Sequence, residues 1–239
     1  MIEGIIFDVD GTLWDPTEEV AYSWNQAIKE QTDMDRTLTA EQLKREFGKP
    51  LEEIIDDLFP ELAQIEQESL ADHLYKYENK WVETAPCIVY DQMAETVREL
   101  SKKYKLFIVS NCQSGYIEAF LKNTGLGQYF ADYTCPGDTG KLKGENIRII
   151  MERNGIKEAV YVGDTQGDAN ACKEAGIPMI FAAYGFGQVE EEHVAIQSLG
   201  ELLELEFEKA AGSKPQRQSI RVGNKKGHGD HTPCPFLDD

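Results

Sequence analysis

The chain has 239 residues, enough for one large domain or a core domain carrying an insert. Hydrophobic residues make up 41%, which excludes a disordered chain, and no apolar run approaches the length of a membrane span. A formal net charge of −19 argues against nucleic acid or an anionic membrane as partner, and an anionic substrate would need local positive charge.

The first element is Gly4-Ile5-Ile6-Phe7, a continuous apolar run of the kind that forms a strand covered on both faces. Asp8 and Asp10 follow where that strand ends, and Gly11 allows a sharp turn. From Asp15 to about Glu83 the pattern is helical. Asp15-Pro16-Thr17-Glu18 starts one helix, whose apolar positions are Val20, Trp24, Ala27 and Ile28. Thr39-Ala40-Glu41-Gln42 reads as a capping box for a short helix ending near Gly48. Pro50 opens a third helix, with Ile54, Ile55, Leu58 and Phe59. Leu62, Ile65, Leu70, Leu74, Tyr77 and Trp81 mark one face of a longer fourth.

Near Thr84 the pattern changes. A helix is expected from about Asp91 to Tyr104, then a buried strand Leu106–Val109 that ends at Ser110-Asn111. A helix to about Asn123 closes at Thr124-Gly125, and another element runs from Tyr129 to Cys135. A loop rich in glycine and lysine, Gly137 to Gly144, leads into a helix with Ile147, Ile150 and Met151. Ala159–Val162 is a third buried strand, ended by Gly163-Asp164. A helix from about Ala169 to Ala175 follows, then a strand Pro178–Phe181 and a last helix from Ser198 to Lys209. Strand and helix alternate from Pro86 onward, which implies a parallel sheet. The fold class expected is α/β, a Rossmann-like parallel sheet with a helical cap domain inserted after the first strand. Residues 1–14 and 85–210 form the core, 15–84 the cap, and 211–239 a flexible tail. His228, His231 and Cys234 of that tail are too few and too irregularly set to argue for a metal site.

Three strands thus end in polar groups: Asp8 with Asp10, Ser110 with Asn111, and Asp164 with Asp168 four residues on. In a parallel sheet these ends share one edge, the edge where ligands bind. Clustered carboxylates repel unless a cation sits among them, and a set of oxygen ligands without thiolate or imidazole suits magnesium. A serine hydroxyl, backbone amides and a lysine from Lys141-Leu142-Lys143 suit a phosphate. A dianionic phosphate about 4 Å from a carboxylate costs roughly 8 kcal/mol at an effective dielectric near 20, so counter-charge is a requirement. Five scattered cysteines point to reduced thiols and a cytoplasmic protein, and no secretory signal is expected.

Asp8-Val9-Asp10-Gly11-Thr12, Phe107-Ile108-Val109-Ser110, a lysine ahead of a helix, and Gly163-Asp164-Thr165-Gln166-Gly167-Asp168 occur in the order seen in the haloacid dehalogenase superfamily. The chain resembles that superfamily from about Ile2 to Phe186, in its phosphoglycolate phosphatase-like branch with a helical cap. The resemblance implies a nucleophile at Asp8 and a general acid and base at Asp10. It implies Mg2+ held by the Asp8 carboxylate, the Asp10 backbone carbonyl and Asp164, with Asp168 direct or through water. Phosphate would be held by Ser110, the Asn111 backbone and Lys143, with Lys141 as the alternative lysine. The expected activity is hydrolysis of small phosphomonoesters, phosphoglycolate among them, by a monomer or homodimer. A phosphomutase of the β-phosphoglucomutase type is the enzymatic alternative, for which Lys44, Arg45 and Lys49 could hold a second phosphate. A non-catalytic binding module on the same scaffold is the third reading.

Overall fold

The computed structural model describes residues 1–191 and 193–207. The expected tail, with His228, His231 and Cys234, lies outside the described residues. The chain opens with strand β1 (Gly4–Phe7), then a two-residue strand β2 (Trp14–Asp15). Four helices follow: α1 (Thr17–Gln31), α2 (Ala40–Glu46), α3 (Leu51–Leu58) and α4 (Gln64–Val82). Strand β3 (Ile88–Val89) and helix α5 (Met93–Ser101) lead to strand β4 (Lys105–Val109). Helix α6 (Tyr116–Thr124), strand β5 (Phe130–Thr134), the short α7 (Pro136–Thr139) and α8 (Lys143–Arg153) come next. Strand β6 (Ala159–Gly163), helix α9 (Gln166–Ala175) and strands β7 (Met179–Ala182) and β8 (Val194–Ile196) complete the sheet, before a 3-10 turn at Leu199–Leu203.

The main sheet has six strands in the order β5-β4-β1-β6-β7-β8, every pairing parallel. Residues that alternate along a strand face opposite sides, and the central strands feed two separate cores. Ile5 and Phe7 pack with Leu106, Ile108, Val160 and Val162 on one side; Ile6 packs with Phe107, Val109 and Tyr161 on the other. That double burial is why these strands read as unbroken apolar runs. The α/β expectation holds.

The four helices of residues 17–82 pack into a layer of their own, with α1 along α4, and α4 also meets α6. Thr39 and Gln42 make the expected capping box of α2. The face of α4 differs from expectation. Its buried positions are Leu70, Leu74, Glu78 and Val82, whereas Ile65 and Trp81 are 72% and 38% exposed. A strict four-residue repeat carries the packing, and a glutamate occupies one position of it. The chain enters and leaves this layer through an antiparallel β2–β3 ribbon, pairing Trp14 with Val89 and Asp15 with Ile88, that the sequence pattern does not announce. Strand β8 was likewise not expected. The last helix is, among the described residues, a 3-10 turn burying Leu199 and Leu202 but leaving Leu203 exposed. Helix α9 starts at Gln166, ahead of the expected Ala169, because Thr165 caps it. No helix among the described residues is long and apolar enough to cross a membrane.

Candidate active site

Strands β4, β1 and β6 are neighbours, so Ser110, Asp8 and Asp164 emerge side by side. The chain turns at once after β1: the amides of Thr12, Leu13 and Trp14 all point back to the Val9 carbonyl, at 3.2, 2.8 and 3.3 Å. Gly11 makes this turn with φ of +80°, and a Cβ there would stand 2.2 Å from Asp164 Oδ2. Only glycine fits, on both backbone and steric grounds.

Lys143, in the first turn of α8, is buried and reaches Asp8 Oδ1 at 3.0 Å and Asp168 Oδ1 at 2.7 Å. Asp168 turns its other oxygen to the Asp164 amide (3.1 Å), the Thr165 amide (3.0 Å) and the Thr165 hydroxyl (2.8 Å). Asp164 accepts from the Thr12 hydroxyl at 3.1 Å and from the Phe186 amide at 2.7 Å. Asp10 accepts from Trp14 Nε1 at 2.8 Å and from the Tyr116 hydroxyl at 2.6 Å. Ser110 is buried with its hydroxyl bonded to Asp8. Asp8, Asp10, Ser110, Lys143, Asp164 and Asp168 are therefore gathered in one place. Lys141 stands apart, 53% exposed beside Glu145. The Asn111 side chain points to the helical layer, donating to the Gly48 carbonyl at 2.9 Å.

Burial drives the ionisation of this cluster. It pushes the Asp8 carboxyl up to about 6, with Lys143 pulling the other way, and the Asp10 carboxyl up to about 7 against the pull of its Tyr116 bond. Asp164 is raised well above the carboxylate range by burial and by its neighbours Asp168 and Asp8. At Asp168 burial is outweighed by the Lys143 ammonium, which holds it below the usual range. Lys143 is itself buried, yet Asp168 and Asp8 hold its proton more firmly than usual. One lysine leaves this group of carboxylates in excess.

That excess suits a cation. Asp8, Asp164 and Asp168 each present a buried carboxylate oxygen, all within 4.8 Å of one another. The donors are oxygen only, which fits a hard divalent ion rather than zinc. Asp10 belongs to no such carboxylate group among the described residues, since its side chain turns to Trp14 and Tyr116.

A cleft of about 550 Å³ adjoins the cluster at Lys143, between Lys44, Phe47 and Gly48 of the helical layer and Asn111, Lys143 and Thr165 of the sheet edge. Gly48, with φ of +90°, nestles against Thr165, whose Cγ2 would lie 2.8 Å from an added Cβ. The cations on this side are all paired: Lys44 with Asp15 at 3.2 Å, Arg45 with Glu41 at 3.0 Å, Lys49 with Asp57 at 2.8 Å and with Glu46. Sequence reasoning missed Trp14, Tyr116, the Thr12 hydroxyl and the Phe186 amide as parts of the site. Thr12 lies within the recognised Asp-Gly-Thr motif and could have been found there. Tyr116 follows an irregular stretch and carries no local signal.

The family model for haloacid dehalogenase-like hydrolases matches residues 5–182. The chain is 29% identical over 183 residues to a Clostridium perfringens protein provisionally named pyrophosphatase PpaX, covering 74% of this chain and 81% of that one. It is 26% identical over 221 residues to phosphoglycolate phosphatase of Vibrio parahaemolyticus, covering 85% and 96%. Among solved structures, a haloacid dehalogenase-like family hydrolase from Streptococcus pneumoniae superposes with a TM-score of 0.72 at 21% identity, over 85% of this chain and 97% of that one.

Proposed function

The chain belongs to the haloacid dehalogenase-like hydrolase family, and from that premise we propose that it hydrolyses small phosphomonoesters through an aspartyl-phosphate on Asp8. The carrying observation is the buried line Asp8–Lys143–Asp168 at the strand ends, with Asp10 beside it. In the first step an Asp8 oxygen bonds to phosphorus as the ester P–O bond breaks, and Asp10 gives its proton to the leaving oxygen. In the second, water loses a proton to Asp10 and attacks the phosphoryl group, releasing phosphate and restoring both carboxyls. A group that titrates near 7 suits this reversal of roles. Ser110, the Asn111 backbone and Lys143 bind the phosphoryl oxygens. Mg2+ held by Asp8, Asp164, the Asp10 backbone carbonyl and, directly or through water, Asp168 would supply charge against carboxylate–phosphate repulsion.

Residues 15–84 serve as the cap, with the β2–β3 ribbon as hinge, closing on the substrate and excluding water. The relatives named for phosphoglycolate make that ester the first candidate substrate. The pairing of Lys44, Arg45 and Lys49 with carboxylates favours hydrolysis over a mutase, which needs free cations for a second phosphate. The complete set of site groups favours an enzyme over a binding module. A panel of phosphate esters, assayed for free phosphate with Mg2+ and with EDTA, tests the reading. We expect release with Mg2+, none with EDTA, and none from Asp8→Asn. Release by a clean preparation of that variant, or an isomer in place of phosphate, overturns it.

A further inference from the structure

We propose that Tyr116 and Trp14 are positioning residues that assign one oxygen of Asp10 to proton transfer. The inference rests on the phosphatase reading and adds two residues to it. Trp14 Nε1 and the Tyr116 hydroxyl both donate to the same oxygen, Asp10 Oδ1, at 2.8 and 2.6 Å. An indole N–H can only donate, so Oδ1 stays an acceptor. With its two lone-pair directions taken, Oδ1 carries no proton, and the acid proton of Asp10 resides on Oδ2.

The two donors are rigidly placed. Trp14 and Tyr116 are buried, their rings meet edge to face at 6.1 Å, and the Trp14 ring meets Phe120 at 4.9 Å. They come from separate segments of the chain: Trp14 from the β2–β3 ribbon, Tyr116 from the start of α6 behind Gly115. Their convergence on one oxygen fixes the carboxyl rotamer against the repulsion of Asp8. In phosphoryl transfer, Oδ2 loses its proton to the ester oxygen as the P–O bond to that oxygen breaks and the bond from Asp8 forms. Without the Tyr116 hydroxyl the carboxyl is free to turn, and the proton divides between both oxygens.

The discriminating measurement is leaving-group dependence. An alkyl phosphate needs its departing oxygen protonated, whereas 4-nitrophenyl phosphate leaves as a stable phenolate and needs little help. The ratio of kcat/KM values for the two esters reports the first transfer step alone. We expect Tyr116→Phe, which keeps the ring, to lower kcat/KM for glycerol 3-phosphate at least tenfold more than for 4-nitrophenyl phosphate. Trp14→Phe, carrying the same donor loss from another element, should shift the ratio in the same direction. Equal losses on both esters in both variants, or no loss, overturn the inference while the phosphatase reading stands. Failure of the unaltered protein to release phosphate from any ester of the panel, these two included, overturns both together.

Discussion

Lys143 is the residue on which the acidic cluster depends. It is buried and bonded to two buried carboxylates, and removing one partner of such a network leaves the others uncompensated. Lys143→Met keeps the volume and deletes the charge. We expect it to destabilise the fold by about 3 kcal/mol, read by urea unfolding at neutral pH. Under the proposed mechanism turnover should also fall by roughly a thousandfold, because there Lys143 supplies charge to the phosphoryl group. Lys143 was legible beforehand, as were Asp8, Ser110, Asp164 and Asp168, because each follows a strand or opens a helix whose apolar pattern is plain. Between Lys141 and Lys143 the sequence left two candidates. The choice lay in the position of the helix start, and α8 begins at Lys143. Tyr116 was not legible as a site residue, because a hydrogen bond over 106 positions, as from Tyr116 to Asp10, leaves no periodic trace. Trp14, four positions from Asp10, reads as an ordinary apolar position until its indole N–H is seen to bond.

At the scale of elements, local chemistry was read well and distant pairing was not. The α2 capping box is a four-residue signal and is present as expected: the Gln42 amide donates to Thr39 Oγ1 at 3.2 Å, and the Thr39 amide to Gln42 Oε1 at 2.9 Å. Thr39→Ala should therefore cost about 1 kcal/mol, measured as a lower urea midpoint with an unchanged slope. An unchanged midpoint would mean that tertiary packing alone holds α2. Strands β2, β3 and β8 went unread because two or three residues are too few to show alternation. The α4 face departs from its apolar spacing for a different reason. Apolar spacing pointed to Ile65 and Trp81, but Trp81 instead lies against Tyr22 at 4.6 Å and donates to Glu19. The buried register runs through Glu78, which an apolar count passes over.

Among the described residues, Glu78 sits where the helical layer of residues 17–82 meets the layer built on the sheet, with α4 packed against α6. Its carboxylate accepts from Trp24 Nε1 of α1 at 2.6 Å and from Gln113, which follows β4, while the adjacent Asn79 donates to the Ser114 carbonyl at 2.8 Å. Burial pushes the Glu78 carboxyl up to about 8, against the pull of both donors. The unfolded chain holds the same group near 4.5, so folding favours the protonated form. Its stabilising contribution is complete below about pH 4.5, declines as pH rises toward 8, and is flat above. Glu78→Gln keeps an acceptor for Trp24 and cannot ionise. It should match the unaltered protein at pH 4.5 and exceed it by on the order of 3 kcal/mol at pH 7. Urea unfolding at several values from pH 4.5 to 9 checks this: the gap between the two proteins must widen with pH and then level off. A gap independent of pH would place the ionised carboxylate in the native interface, with the donors of Trp24 and Gln113 sufficient to hold it. The two layers would then be joined by a charge-assisted contact in place of a neutral one, and their separation would no longer become easier as pH rises.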